Sequence, residues 1–169
     1  LHNTVLVAEK GRILGTYSKA FPCFDFFTPG REFPVFERDG VTFGVIICAD
    51  GGYIEPARIL ALKGAQIIFA PHYNYIEKEH LLDHFMKVRS DHIARAVENG
   101  VWFVRGNNVS SGPDDALEAD GVGYGDSYLF GDNHVAWVNI DKFTYALAWP
   151  SGGMQRMDAH IFLVNNIDG

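Results

Sequence analysis

The sequence has little of what marks three familiar classes of protein. Two cysteines in 169 residues do not make the disulfide framework of a small secreted domain. No basic block occurs and the net charge is −7, which argues against binding to nucleic acid or to an anionic membrane surface. There is no apolar run near 18 residues and no signal-peptide pattern. We therefore expect a protein of a reducing, cytoplasmic compartment.

Two hydrolase signatures are missing as well. The sequence contains no G-x-S-x-G, which argues against a serine hydrolase of that type. It contains no H-E-x-x-H either, because Glu79 precedes His80. What remains is a globular composition, 47% apolar and 14% aromatic, long enough for one domain with a sizeable core. We expect a single domain over residues 1–169.

The stretch 41–71 predicts a strand, a turn, a helix and a second strand. Val41–Ile47 is uncharged and rich in β-branched and aromatic residues, which predicts a buried strand ending at Cys48. A helix is expected to begin near Glu55 and to stop at Gly64, before a second buried strand over Gln66–Ala70. The fold class is therefore α/β, and such sheets place their chemistry at the carboxyl ends of strands.

Cys48 has two interpretations from its position alone. A thiol between a strand and a helix N-terminus is in an environment that favours the thiolate. A free cysteine is also among the most buried residue types, and most single cysteines only fill space in the core. Position does not choose between them.

Several separated motifs favour the functional interpretation of Cys48. They resemble, in the same order along the chain, motifs of the carbon–nitrogen hydrolase, or nitrilase, superfamily. The segments are Tyr17-Ser18-Lys19, Phe27-Thr28-Pro29-Gly30, Cys48-Ala49-Asp50 with the helix and strand after it, Arg95-Ala96-Val97-Glu98-Asn99, and Gly125-Asp126-Ser127.

The resemblance implies the fold of that family, a four-layer α-β-β-α sandwich. The segment Thr4–Ala8 resembles a strand that lies well inside the family's domain. An N-terminal portion, with the element that carries the family's catalytic glutamate, is therefore expected to be missing from this chain. The family usually assembles through its helical layers, so a homo-oligomer is expected.

The resemblance also implies a mechanism. Cys48 would be the nucleophile, Lys19 would stabilise the negative charge of the transition state, and the backbone N–H of Ala49 would help to form the anion hole. A thioester or thioimidate would form and be hydrolysed by water, with a glutamate carrying protons and no cofactor. The expected partner is a small amide, carbamoyl or nitrile substrate, and the 169 residues alone are not expected to be a full catalyst.

Lys19 and the loop after it leave two questions open. A lone lysine at a strand end is most often a solvated edge residue, and only the resemblance gives Lys19 a catalytic role. Many relatives carry a second glutamate before the Phe-x-Pro-Gly segment. Here that position falls at or near Cys23, and the nearest acid is Asp25.

The segment His72–Tyr75 follows the second buried strand. The carboxyl ends of neighbouring parallel strands meet at one edge, so this loop is expected to face the same cleft as Cys48. Tyr73 and Asn74 would then contact substrate, with Asn74 hydrogen-bonding an amide. The alternative is that Asn74 is an ordinary turn residue.

A long helix is predicted over Lys78–Asn99, ended by Gly100. His80 and His84 are four residues apart on it, a spacing that metal sites use. This spacing makes a metal-dependent hydrolase the less favoured alternative, and Arg95 with Glu98 is expected to form a structural pair.

The segments after the long helix differ in composition. The polar, acidic stretch Ser110–Gly123 predicts a loop, whereas Tyr128–Phe130 and His134–Ile140 predict a hairpin. A non-catalytic relative that uses the same cleft for binding is the main alternative to an enzyme.

Overall fold

The order of elements alternates strands with two helices. The computed structural model describes residues 1–114, 119–131, 134–137, 145–148, 154–157 and 162–164. Its elements are β1 (Thr4–Glu9), β2 (Arg12–Ser18), β3 (Val35–Arg38), β4 (Val41–Val45), α1 (Ile54–Leu62), β5 (Ile67–Pro71), α2 (Leu81–Asn99), β6 (Trp102–Gly106), β7 (Val109–Asp114), β8 (Ala119–Tyr124), β9 (Tyr128–Gly131), β10 (His134–Trp137), β11 (Tyr145–Ala148), β12 (Met154–Met157) and β13 (Phe162–Val164). The structure is thus mixed α/β, as expected.

A six-stranded sheet in the order β10-β9-β6-β5-β4-β3 positions the site. Its centre is parallel, because β5 pairs with both β4 and β6 in that sense, whereas β3, β9 and β10 pair antiparallel. The chain crosses from β4 to β5 through α1 and from β5 to β6 through α2. The carboxyl ends of β4, β5 and β6 therefore lie side by side at one edge, as the sequence predicted.

Burial explains why these strands sit in the middle. The first four residues of β5 are apolar and buried, which suits a parallel strand covered on both faces. Gly44 in β4 lets the sheet approach α1 closely, since a Cβ there would come within 2.7 Å of the Leu60 side chain. Leu60 and the strand residues around it belong to one buried cluster.

The two crossover helices end where the sequence indicated. The predicted start of α1 at Glu55 is within one residue of the observed Ile54. The second helix consists of a short 3-10 turn, Lys78–His80, followed by α2, and it stops at Gly100 with a left-handed φ of +62°. The expected pair Arg95–Glu98 is present at 2.7 Å. No helix among the described residues is long and apolar enough to cross a membrane.

A second sheet of three strands, β13-β1-β2, carries the amino-terminal hairpin. The strands β1 and β2 pair antiparallel as a hairpin, with a register shift between Val7 and Ala8. Its buried residues Val5, Val7 and Tyr17 join the same core cluster as the large sheet. Lys19 follows directly after the last residue of β2, at the end of the hairpin.

The prediction of a loop over Ser110–Gly123 was wrong. In the structure β7 and β8 pair antiparallel, from Val109 opposite Tyr124 to Asp114 opposite Ala119. Ile76 and Val122 exchange two backbone hydrogen bonds of 3.1 and 2.9 Å, which attach this hairpin to the segment after β5. Backbone pairing needs no apolar side chains, so the polar composition hid the strands. The predicted hairpin of β9 and β10 is confirmed as far as Trp137, and residues 138–140 of the prediction lie outside the described residues.

Candidate active site

Cys48 lies at the start of a 3-10 turn, Cys48–Gly52, that leads from β4 towards α1. Its φ is +49°, in the left-handed region that residues with a side chain rarely occupy. Such backbone outliers are concentrated at functional sites, where the surrounding structure holds them. Ala49 is half-buried in the same turn, and the role of its N–H as an anion-hole donor stays a prediction.

The loop after β5 supplies two donors to the Cys48 sulfur. The Asn74 side chain donates from Nδ2 to Sγ at 3.5 Å. A hydrogen bond from the backbone of Tyr73 favours the thiolate and acts to lower the pKa of Cys48. The structure therefore brings Cys48, Tyr73 and Asn74 together, although the Tyr73 ring is 51% exposed.

Lys19 is not a solvated edge residue, because it is only 3% exposed. The backbone on both sides holds it, since its N–H donates to the Asn3 carbonyl and its own carbonyl accepts from Gly30 N–H, both at 2.8 Å. Its Nζ donates to the Cys23 sulfur at 3.4 Å. Its positive charge also acts on Cys48, where it opposes the rise in pKa described next.

Cys23 is the site residue whose part the sequence did not show. A hydrogen bond joins it to Cys48, and that bond, helped by the charge of Lys19 against the effect of burial, lowers the pKa of Cys23 to about 5. The same hydrogen bond, together with burial, raises the pKa of Cys48. At neutral pH the two sulfurs therefore hold one proton and one negative charge beside the Lys19 ammonium.

Asp50 shapes the turn and is not free for proton transfer. It is fully buried and accepts hydrogen bonds from the Tyr17 hydroxyl at 2.7 Å, from Phe21 N–H at 2.9 Å and from Ile47 N–H at 3.0 Å. Burial and the neighbouring Asp50 carboxylate raise the pKa of Tyr17, so the phenol stays protonated as the donor. The carboxylate thus ties the Cys48 turn to the loop that carries Cys23.

Arg105 is a second buried cation of this site, and it is 0% exposed. Its Nη2 donates to Asn74 Oδ1 at 2.5 Å and to the Tyr124 hydroxyl at 3.2 Å, and its Nη1 donates to Asp126 Oδ2 at 3.1 Å. Asp126 also pairs with Arg89. Because Arg105 occupies the amide oxygen of Asn74, the amide nitrogen faces Cys48. A charged residue inside the apolar strand Trp102–Gly106 was the signal that could have indicated this.

Two buried histidines support the turn from below. His92 on α2 packs edge-on against His72, with ring centroids 4.9 Å apart, and its Nε2 lies where a Cβ on Gly51 would be. Burial lowers the pKa of both histidines, and the charge of Arg105 adds to the effect on each. Both rings are therefore neutral at physiological pH, and any bulk added at Gly51 would displace His92.

The alternative metal site of His80 and His84 is not assembled. The Nδ1 atom of His84 is 3.0 Å from the Tyr124 hydroxyl. Among the residues that the structure describes, the possible ligand atoms that lie close together belong to Glu77, Glu79 and His80, and all three are exposed. Exposed acidic groups of this kind are common without a metal.

The fold and these contacts define a mixed α/β protein with a thiol and a buried ammonium group at the carboxyl edge of a parallel sheet. A family model described as carbon-nitrogen hydrolase matches residues 1–145. The chain therefore belongs to the carbon–nitrogen hydrolase family.

Individual relatives agree with this assignment. The 2-oxoglutaramate amidase of Bacillus subtilis (strain 168) is 34% identical over 120 residues, covering 68% of this chain and 44% of that protein. A carbon-nitrogen hydrolase from Helicobacter pylori G27 superposes with a TM-score of 0.68 at 28% identity, over 77% of this chain and 49% of that one.

A mutant amidase from Nesterenkonia sp. AN1, with a covalent acetamide addition at its active-site cysteine, has a TM-score of 0.58 at 26% identity. The match covers 76% of this chain and 46% of that one. This chain thus spans about half the length of the relatives that it matches.

Proposed function

We propose that the protein containing this chain hydrolyses a carbon–nitrogen bond other than a peptide bond, with Cys48 as the nucleophile. The observation that carries the proposal is the set of groups around the Cys48 sulfur. Asn74 Nδ2 donates to it at 3.5 Å, and the buried Lys19 ammonium acts on it. These groups favour the Cys48 thiolate, the nucleophilic form of cysteine, against the hydrogen bond to Cys23 and burial, which raise the pKa of Cys48.

The first half of the reaction forms a covalent intermediate. Cys48 gives its thiol proton to a proton carrier as its sulfur attacks the carbonyl carbon, and negative charge develops on the carbonyl oxygen. Lys19, with the N–H of Ala49, stabilises that charge. Collapse of the tetrahedral intermediate breaks the carbon–nitrogen bond, the carrier returns the proton to the leaving nitrogen, and the amine departs with a thioester left on Cys48.

The second half needs a water molecule and a proton carrier. Water attacks the thioester carbon and loses its proton to the carrier. The carbon–sulfur bond then breaks, the acid is released, and the carrier returns the proton to the Cys48 sulfur. The carriers expected in the family are glutamates, and we place this function in a glutamate outside the 169 residues. Asp50 does not fill the role, because three donors already occupy its oxygens.

A small amide is the substrate that we favour. Two of the relatives described above are amidases, one of them with an acetamide group covalently attached to its cysteine. Asn74 offers an amide that is already oriented by Arg105, so it can hydrogen-bond a substrate amide while Lys19 receives the oxyanion. Carbamoyl and nitrile substrates fit the same reaction class, and we expect a homo-oligomer in the cytoplasm.

The test uses the natural full-length protein and two cysteine variants. Fluoroacetamide should add covalently to the peptide containing Cys48, and a panel of primary amides should release ammonia. Cys48→Ser should abolish both results, whereas Cys23→Ser should retain the adduct at Cys48. Labelling confined to Cys23, with no ammonia released from any amide, carbamoyl compound or nitrile, would overturn the proposal and favour a non-catalytic binding role.

A further inference from the structure

The reaction proposed above uses one of the two thiols in the site and leaves Cys23 without a task. Cys23 is exposed, whereas Cys48 is half-buried. A hydrogen bond joins the two thiols, and Lys19 Nζ lies 3.4 Å from the Cys23 sulfur. Two thiols in contact beside an ammonium group form an arrangement that is suited to oxidation as well as to hydrolysis.

We propose that Cys23 and Cys48 are a modification site at which a peroxide forms a reversible disulfide. The consequence for activity rests on the function proposed above, since a disulfide removes the nucleophile that hydrolysis requires. The bond itself does not depend on that function.

Cys23 is the sulfur that meets the oxidant first. Its thiolate is exposed to solvent and stabilised by Lys19, and thiolate character with exposure determines which cysteine is oxidised. The thiolate attacks one peroxide oxygen and the O–O bond breaks. Cys23 becomes a sulfenic acid, and the departing hydroxide takes a proton to form water.

Cys48 then resolves the sulfenic acid. Its sulfur attacks the sulfur of Cys23, the S–O bond breaks, and the hydroxide leaves with the Cys48 proton as a second water molecule. Overall, two thiols and one hydrogen peroxide give one disulfide and two waters. Each sulfur is oxidised by one electron, and the peroxide is reduced by two.

The loop that carries Cys23 is held beside the Cys48 turn. Cys23 lies in the loop between β2 and β3, outside any regular element. Two residues earlier, Phe21 is held to the Cys48 turn by its hydrogen bond to Asp50 and by stacking on Tyr53 at 3.8 Å between centroids. The loop is thus anchored beside Cys48, and the disulfide requires the two sulfurs to approach to about 2 Å.

The test treats the full-length protein with hydrogen peroxide, blocks the remaining thiols with N-ethylmaleimide and maps peptides by mass. We expect the peptides of Cys23 and Cys48 to be joined, with loss of two hydrogens, and to separate again in dithiothreitol. Cys23→Ser should give no joined peptide and should leave Cys48 to oxidise singly.

A charge variant tests the part played by Lys19. In Lys19→Met the Cys23 thiolate loses its ammonium neighbour but keeps its hydrogen bond to Cys48, which contributes more to the lowered pKa. A thiol with an ordinary pKa of about 8.5 is only about 3% ionised at pH 7, which limits the loss of thiolate to roughly 30-fold. Disulfide formation should therefore slow at pH 7 by less than that factor, whereas Lys10→Met, at an exposed turn lysine, should react like the natural protein.

The outcomes separate this proposal from the previous one. Hydrolysis without a joined peptide at any peroxide concentration would overturn the disulfide and leave the proposed function standing. A joined peptide in a protein that hydrolyses no substrate would support the disulfide and count against the function. If peroxide stops hydrolysis and dithiothreitol restores it in the natural protein, and this reversible loss is not seen in Cys23→Ser, both proposals are supported.

Discussion

Cys48 is held between two sides of different construction. On the side of β5 and β6, a continuous series of hydrogen bonds runs from Asp126 through Arg105 and Asn74 to the sulfur. On the side of β2, the buried Lys19 ammonium donates to a second thiol, Cys23, which lies in a loop. The hydrogen bonds of the first side fix the positions of the Asn74 amide and the Cys48 sulfur. The ammonium group of the second side favours negative charge on the two sulfurs.

The largest expected effect comes from breaking the charged side. Lys19→Met removes the cation that is proposed to stabilise the oxyanion, and loss of one such group costs about 10²–10³ in rate. We expect kcat/KM of the full-length protein for its amide substrate to fall by that factor, with Lys10→Met as the matched control. A Lys19→Met enzyme of natural activity would contradict the proposed role.

Breaking the hydrogen-bonded side should reduce stability more than chemistry. Arg105→Met leaves the Asn74 oxygen and part of Asp126 without their buried donor, and loss of one partner from such a set costs about 3 kcal/mol. The free energy of unfolding in urea should fall by that amount, whereas Arg31→Met, at an exposed arginine, should change it by less than about 0.5 kcal/mol.

The same measurement sharpens the comparison through Lys19. Lys19 donates to the Cys23 sulfur, which is exposed and can take up a proton when the cation is removed, so the variant leaves no unpaired buried charge there. Lys19→Met should therefore unfold at the same urea concentration as the natural protein, or at a higher one. Equal destabilisation by Lys19→Met and Arg105→Met would erase the distinction between the two sides.

Lowering the pH should destabilise the hydrogen-bonded side by a smaller amount. His72 and His92 have folded-state pKa values well below 6.5 because they are buried. The unfolded state therefore binds more protons below about pH 6.5. Stability is unaffected by these groups above that pH and falls by up to about 1.4 kcal/mol per pH unit for each histidine below it.

A histidine variant tests whether His92 causes this dependence of stability on pH. His92→Gln cannot take up a proton, and it retains a polar group for the Tyr128 hydroxyl, which His92 Nδ1 contacts at 2.5 Å. Urea unfolding between pH 6.5 and 5 should show about half the loss in this variant. His80→Gln, at an exposed histidine, should follow the natural protein, and an unchanged slope in His92→Gln would show that other groups cause the acid effect.

The sequence predicted the elements better than the contacts between distant segments. Hydrophobic runs predicted β4 and β5, and their parallel order brought Tyr73 and Asn74 to Cys48 as expected. The motif resemblance drew attention to Lys19, for which position alone favoured a solvated role. Local patterns were sufficient here because each prediction depended on burial or on strand order.

What the sequence did not predict depends on contacts that no local pattern encodes. The thiol of Cys23 meets Cys48 through a loop of irregular backbone, and Arg105 finds Asp126 across 21 positions. The β7–β8 hairpin was missed because its sequence is polar, and the backbone pairing that forms it leaves no apolar pattern in the sequence. A charged residue inside an apolar strand can nonetheless be recognised in the sequence, and Arg105 in such a strand indicates an acidic partner elsewhere in the chain.

The left-handed backbone of Cys48 has a consequence for selection on this domain. A residue with a side chain gives up roughly 1 kcal/mol or more of folding free energy in that conformation, whereas glycine does not. Selection for stability alone would therefore favour glycine at position 48, whereas selection for turnover would retain cysteine there. The residue at this one position thus records which of the two pressures a lineage has experienced.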